Sequence, residues 1–113
     1  MDDRRADALA KNEVLFREVN EQVDRIDREH GAPARELASF LCECSQAECL
    51  TRVTATRAEY EDVRAIPHAF LLAPGHEVPE VETVVRSTDR FVVVEKLPGE
   101  REIAQAKDPR SPR

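Results

Sequence analysis

The chain has 113 residues, of which 41% are apolar, 35% charged and only 4% aromatic, and its formal net charge is -6. That length suits one domain with a modest core, built from Val, Leu, Ile and Ala because Trp is absent and Met occurs once. The acidic balance argues against a nucleic-acid binder, which needs clustered Lys and Arg, and no segment approaches the roughly 20 apolar residues of a membrane span.

Met1-Asp2-Asp3-Arg4-Arg5 lacks the apolar run of a signal peptide, so a cytoplasmic protein is expected. Asp7 to His30 contains neither Pro nor Gly, and good helix formers dominate it. Leu9, Asn12, Phe16, Val19, Val23, Ile26 and His30 follow one another at alternating steps of three and four, which is the a/d seam of roughly three heptads. Glu13 with Arg17, Glu21 with Arg25 and Asp24 with Arg28 are spaced to pair along the helix. Gly31 ends it, and Pro33 lies just beyond. Such a stripe either packs on the chain's own sheet or pairs with a protein partner or a second copy. Leu15 and Val14 widen it beyond a pure coiled-coil seam.

Ala34 to Ala38 reads as a short helical turn, Ser39 to Cys42 as a strand, and Leu50 to Thr54 as the next strand. Thr56-Arg57-Ala58-Glu59 is a capping box that predicts a helix over Arg57 to Ala65, with Tyr60 or Glu61, Ala58, Val63 and the Arg64 stem inward. Ala69 to Leu72 is a short apolar strand closed by Pro74-Gly75-His76. Val81 to Val85 and Phe91 to Glu95 suggest a β-hairpin turning at Ser87 to Arg90, although Val84 blurs the alternation; a helix from Pro79 to Arg86 competes, and the Thr and Val content favours the strand. Pro98-Gly99 reads as a turn and Glu100 to Ala106 as a short helix. The chain therefore divides into an amphipathic helix (1–30), an α+β domain (34–107) and a disordered tail (108–113).

All three cysteines lie in Cys42-Glu43-Cys44-Ser45-Gln46-Ala47-Glu48-Cys49. In a reducing compartment, an odd number of clustered thiols points to metal rather than to disulfides. Residues two apart on an extended chain share a face, so Cys42 and Cys44 converge, and the loop can return Cys49 to them. Zinc takes four tetrahedral ligands and accepts thiolate and imidazole, so Zn2+ is the expected ion. His76 is the expected fourth ligand because Pro74-Gly75 turns the chain tightly before it. His68 is the second choice, and Glu43, Glu48, Glu77 or a water are alternatives. His30 stands at a helix C-terminus and caps it.

A Cys3His site is closed and structural; an open one would return a metal-dependent enzyme, and oxidisable thiols a redox or metal sensor. The acidic neighbours Glu59, Glu61 and Asp62 read as a solvated face, and Glu77, Glu80 and Glu82 as a charged loop. There is no Gly-rich phosphate loop and no nucleophile-elbow context for any Ser.

Several blocks together carry a resemblance. They are Asn12-Glu13, Phe16 to Glu21, Phe40-Leu41-Cys42-Glu43-Cys44 with Cys49, Glu59 to Arg64, Ala73-Pro74-Gly75-His76-Glu77, and Val92 to Lys96. From about Asn12 to Pro109, the chain resembles a family of small proteins of high-GC Gram-positive bacteria marked by C-E-C-G-x-x-x-C and a later A-P-G-H-E. The resemblance implies the ligand set Cys42, Cys44, Cys49 and His76, favours His76 over His68, and brings no established activity. Ser45 stands where that family carries Gly, which would strain the knuckle if a positive φ were required there.

The expected protein is a zinc-anchored α+β domain with a long N-terminal helix, a small, mostly antiparallel sheet and one or two short helices. Its expected role is non-catalytic and regulatory, with the helix seam as the contact surface.

Overall fold

A stretch of 27 residues without Pro or Gly does form one helix, α1 (Asp3–Glu29). It stops in a Schellman arrangement: Gly31 takes φ +77°, the Ala32 N–H reaches the Asp27 carbonyl at 3.0 Å, and the Gly31 N–H reaches that of Arg28 at 3.1 Å. His30 caps the same end, its Nδ1 hydrogen-bonding the Ile26 carbonyl at 2.8 Å. The structure is a computed structural model. It describes residues 3–44, 46, 49–106 and 110, with the side chains of residues 3–13 and of Ile103 outside that description.

Among the described residues, the remaining elements are β1 (Leu37–Leu41), β2 (Arg52–Thr56), α2 (Arg57–Arg64), β3 (Ala69–Leu72), β4 (Glu82–Ser87), β5 (Val92–Lys96) and α3 (Pro98–Ala106). The fold is α+β. The strands form two antiparallel sheets rather than one: a β1–β2 hairpin and a three-stranded sheet in the order β3-β5-β4. Leu37 faces Thr56 and Leu41 faces Arg52, so the cysteine loop is the connection that closes the first hairpin. Cys42 falls just past the end of β1, and the segment expected to be a helical turn gives way to strand at Leu37.

The capping box forms as the sequence dictates. The Thr56 hydroxyl accepts from Glu59 N at 3.0 Å, while Thr56 N donates to Glu59 Oε1 at 2.8 Å. Tyr60, Val63 and Arg64 turn inward from α2, whereas Ala58 is exposed. In the β4–β5 hairpin the register slips between Val84 and Arg86, so Val84 and Val85 are both exposed. That bulge is the reason the alternation is blurred. Pro98 and Gly99, expected to form a turn, are instead the first residues of α3; Pro is well suited to that position because its missing N–H has no intrahelical partner there.

One core joins both sheets and α2. Phe40 stacks on Tyr60 with ring centroids 4.5 Å apart, and Leu71, Leu72, Phe91 and Val94 close around them. Cys42, Cys44 and Cys49 belong to the same buried cluster. Charged pairs are buried at its margin. Lys96 Nζ donates to Glu82 Oε1 at 2.7 Å, and Val78 N donates to the other oxygen at 2.8 Å. No described helix is long and apolar enough to cross a membrane.

The face that α1 turns to this core is mostly polar. Phe16 is buried, but so are Arg17, Asn20 and Asp24. The seam positions divide. Phe16 and Val23 face the core, while Val19 and Ile26 are 39% and 47% exposed, beside Leu15 at 57%. The side chains of Leu9 and Asn12 lie outside the described residues. Of the carboxylates spaced for pairing along the helix, Glu21 and Asp24 reach other elements: Glu21 meets Arg64, and Asp24 lies 4.0 Å from Arg57.

Candidate metal centre

Cys42 leaves β1, Cys49 approaches β2, and β3 runs into the turn that carries His76. The centre therefore lies where the two sheets meet. The ligand atoms of Cys42, Cys44, Cys49 and His76 all lie within 4.8 Å of one another. His76 Nδ1 is 3.6 Å from the Cys42 sulfur and 3.5 Å from that of Cys49. For Zn–S near 2.3 Å and Zn–N near 2.0–2.1 Å, a tetrahedron has an S···N edge of about 3.6 Å. Two of its edges are thus already at the length zinc requires. All three cysteines are free thiols. Cys42 and Cys44 are buried, Cys49 is 9% exposed and His76 is half-buried.

The turn that aims His76 is fixed by local chemistry. Pro74 presets the first central position and Gly75 takes φ +88° at the second, while His76 N donates to the Ala73 carbonyl at 3.1 Å. This is a type II turn, and the positive φ suits Gly. Ala73 also faces the centre from its other side, its N–H donating to the Cys42 sulfur at 3.1 Å. On the knuckle, Cys49 N bonds the Gln46 carbonyl at 3.0 Å and folds the loop back. Ser45 and Glu48 lie outside the described residues.

The thiols titrate unequally. The hydrogen bond with Cys42 holds the Cys44 thiol down at about 4, helped by His76, the Gln46 backbone and Cys49 against the effect of burial. The same bond, together with burial, pushes Cys42 up. The pair thus favours a thiolate on Cys44 beside a protonated Cys42, and a metal held there would need both sulfurs deprotonated.

Glu43, between the two ligands, points the other way. An extended chain alternates its faces, so a residue between two converging thiols must turn from them. Its carboxylate is fully buried and collects donors from three segments. Oε1 accepts from Leu71 N at 3.0 Å, and Oε2 accepts from Asn20 Nδ2 at 2.9 Å and from the Tyr60 hydroxyl at 3.1 Å. Arg17 Nε stands 3.8 Å from Oε1. Its guanidinium lies 3.7 Å above the Phe70 ring and donates to the carbonyls of Pro67, at 3.0 Å, and of Ala69. Backbone pairing adds to this, with Glu43 N donating to the Leu71 carbonyl at 2.7 Å. Glu43 is therefore a hub behind the centre, not a ligand in it.

The other candidates have different partners. His68 pairs with Glu95 at 3.0 Å. Glu82 is committed to Lys96, and Glu59 to Arg90 and the α2 cap. Glu77 is not in the ligand cluster, although it follows His76 directly. Sequence reasoning missed Arg17, Asn20 and Glu43 as a unit. For Glu43, the available signal was its place between two cysteines of a core strand end. For Arg17, Asn20 and Asp24 it was a three-to-four spacing of their own, one step around the helix from the apolar seam.

Comparisons with protein-family models, with curated proteins and with solved structures found no match to this chain.

Proposed function

We propose that the protein is a small zinc-binding interaction protein whose centre is structural and non-catalytic. The observation that carries this reading is the donor set in its geometry: three thiols and one imidazole nitrogen within 4.8 Å, recessed into the core. Soft thiolates with imidazole select zinc over hard cations. Cys42, Cys44 and Cys49 would hold the ion through sulfur and His76 through Nδ1. With all four positions taken by protein, no place is left for a water nucleophile. The ion supplies a fixed tetrahedral point that ties the knuckle to the Pro74-Gly75 turn. Free thiols suit a cytoplasmic, reducing setting.

Metal content and the absorption of the cobalt-substituted protein test the centre. A four-coordinate, three-sulfur spectrum is expected for the wild type. His76→Ala should open the site to an exchangeable water and lower the melting temperature. A water-bearing wild-type site overturns the structural reading.

Interaction is assigned to α1. Leu15, Val19 and Ile26 form an outward apolar line, with exposed Glu18 and Arg25 seven residues apart beside it. A second copy laid antiparallel sets Glu18 of each chain opposite Arg25 of the other, which favours a homodimer. Sedimentation equilibrium should then show a dimer that Val19→Glu combined with Ile26→Glu converts to monomer. A wild type that stays monomeric at high concentration refutes this surface.

A further inference from the structure

Asn20 of α1 holds the residues on both sides of Cys42, Leu41 by its backbone and Glu43 by its side chain. Its Nδ2 donates to the Leu41 carbonyl at 2.8 Å and its Oδ1 accepts from Leu41 N at 2.7 Å, so the amide pairs with residue 41 as a neighbouring strand would. The same Nδ2 reaches Glu43 Oε2 at 2.9 Å. The residues before and after Cys42 are thus both held by one side chain of the helix, and Glu43 adds the approach of Arg17 and the bond from Tyr60.

From these contacts we infer that occupancy of the metal centre controls the docking of α1, with Glu43 and Asn20 as the positioning residues that couple them. This rests on the reading of Cys42, Cys44, Cys49 and His76 as a zinc site. The physical reason lies in what holds the helix. Of its described side chains, Phe16 is the buried apolar one and Val23 packs partly on the core, while Arg17, Asn20 and Asp24 are buried by virtue of polar partners. Apolar contact tolerates small displacements, but a hydrogen bond is lost when its partner moves or turns. A bound ion pins Cys42 and Cys44 and so fixes the direction of the Glu43 carboxylate between them. When the centre empties, the two sulfurs are no longer held to a common point. Leu41 and Glu43 then leave the positions that Asn20 reads, and α1 loses bonds it cannot replace with apolar contact. The undocked helix uncovers Phe16 and the edge of β1 at Leu41.

Coupling of this kind is reciprocal. If zinc favours docking by a given factor, docking favours zinc by the same factor. Asn20→Ala should therefore lower zinc affinity by about tenfold, the range seen when groups supporting a metal ligand are removed. Thr88→Ala, at the distant β4–β5 turn, controls for general destabilisation and should leave the affinity unchanged.

The experiment uses the full chain. Zinc content of the wild type is measured first, and its absence would refute the zinc site itself, independently of any coupling. Amide hydrogen exchange is then followed by mass spectrometry with zinc bound and after chelation. Exchange at least tenfold faster over residues 14–29, with β3 and β5 still protected, supports the inference. Equal protection of α1 in both states overturns it, as does loss of protection throughout the chain at the same chelator concentration. Competition with a chromophoric chelator gives the affinities. Asn20→Ala at wild-type affinity, or Thr88→Ala weakened as much as Asn20→Ala, likewise overturns it.

Discussion

Replacing Glu43 by Gln removes one charge and one acceptor from a fully buried carboxylate while preserving its shape. Three donors converge on it: Leu71 N at 3.0 Å, Asn20 Nδ2 at 2.9 Å and the Tyr60 hydroxyl at 3.1 Å. Gln offers one oxygen and an NH2 group, so one side of the former carboxylate becomes a donor. If the oxygen serves Asn20 and Tyr60, the NH2 faces the Leu71 N–H. In the opposite orientation it faces Asn20, whose own oxygen is committed to Leu41 N. Either way at least one buried donor loses its acceptor, which costs about 1–3 kcal/mol. Arg17 meanwhile keeps its buried charge without the carboxylate 3.8 Å away, and breaking one side of a buried pair costs about 3–5 kcal/mol. These costs overlap, so a loss of about 3–5 kcal/mol is expected, a large part of the ~5–15 kcal/mol that holds a domain together. Urea unfolding of the zinc-loaded proteins, followed by far-UV circular dichroism, measures it. A Glu43→Gln variant within about 1 kcal/mol of the wild type would mean that Glu43 is not the hub its contacts describe.

Tyr60→Phe should cost less, about 1–2 kcal/mol, because it removes the hydroxyl donor and keeps the ring on Phe40; a larger loss in urea unfolding would place more weight on the hydroxyl than its single bond carries. At Gly75 a Cβ would meet nothing within 4 Å, so Gly75→Ala costs about 1–2 kcal/mol through its positive φ alone. Zinc affinity by chelator competition should fall with it, and an unchanged affinity would show that the turn does not aim His76. Glu59 supplies a pH dependence. The Arg90 guanidinium, aided by the Thr56 backbone, holds its carboxyl at about 2 against the ordinary 4.5. The stabilisation is present above pH 4.5 and is lost as pH falls toward 2. The stability difference between wild type and Glu59→Gln should shrink over that window, and a difference constant down to pH 2 would contradict the assignment.

The capping box at Thr56, the Schellman end at Gly31, the turn at Pro74-Gly75 and the convergence of Cys42, Cys44 and Cys49 were all legible in the chain. Each depends on residues a few positions apart, so neighbouring side chains and permitted φ values suffice to specify it. His76 as the fourth member was legible as well, because a turn at a strand end points its next residue outward from the strand. Strand limits were off by about two residues around the knuckle, since β1 and β2 end where their pairing ends and not where the apolar run does. The division into two sheets was not legible, because strand pairing joins residues far apart and several pairings fit the same short apolar runs.

The orientation of α1 belongs wholly to the tertiary structure. Periodicity offered the line through Phe16, Val19, Val23 and Ile26 either as the face packed on the sheet or as a contact surface, and the fold splits it: Phe16 and Val23 turn inward with Arg17, Asn20 and Asp24, while Val19 and Ile26 stay outside. A hydropathy pattern counts the cost of burying a charge but not the partners that offset it. Those partners come from Leu41, Glu43, Arg57 and the start of β3, up to 52 positions away along the chain. The sequence by itself determined the local pieces, the cysteine knuckle and the turn before His76 among them, because short-range geometry is enough for each. Only the assembled fold could bring Arg17, Asn20 and Tyr60 together on one carboxylate, and that convergence decides which side of the helix is core and which is free.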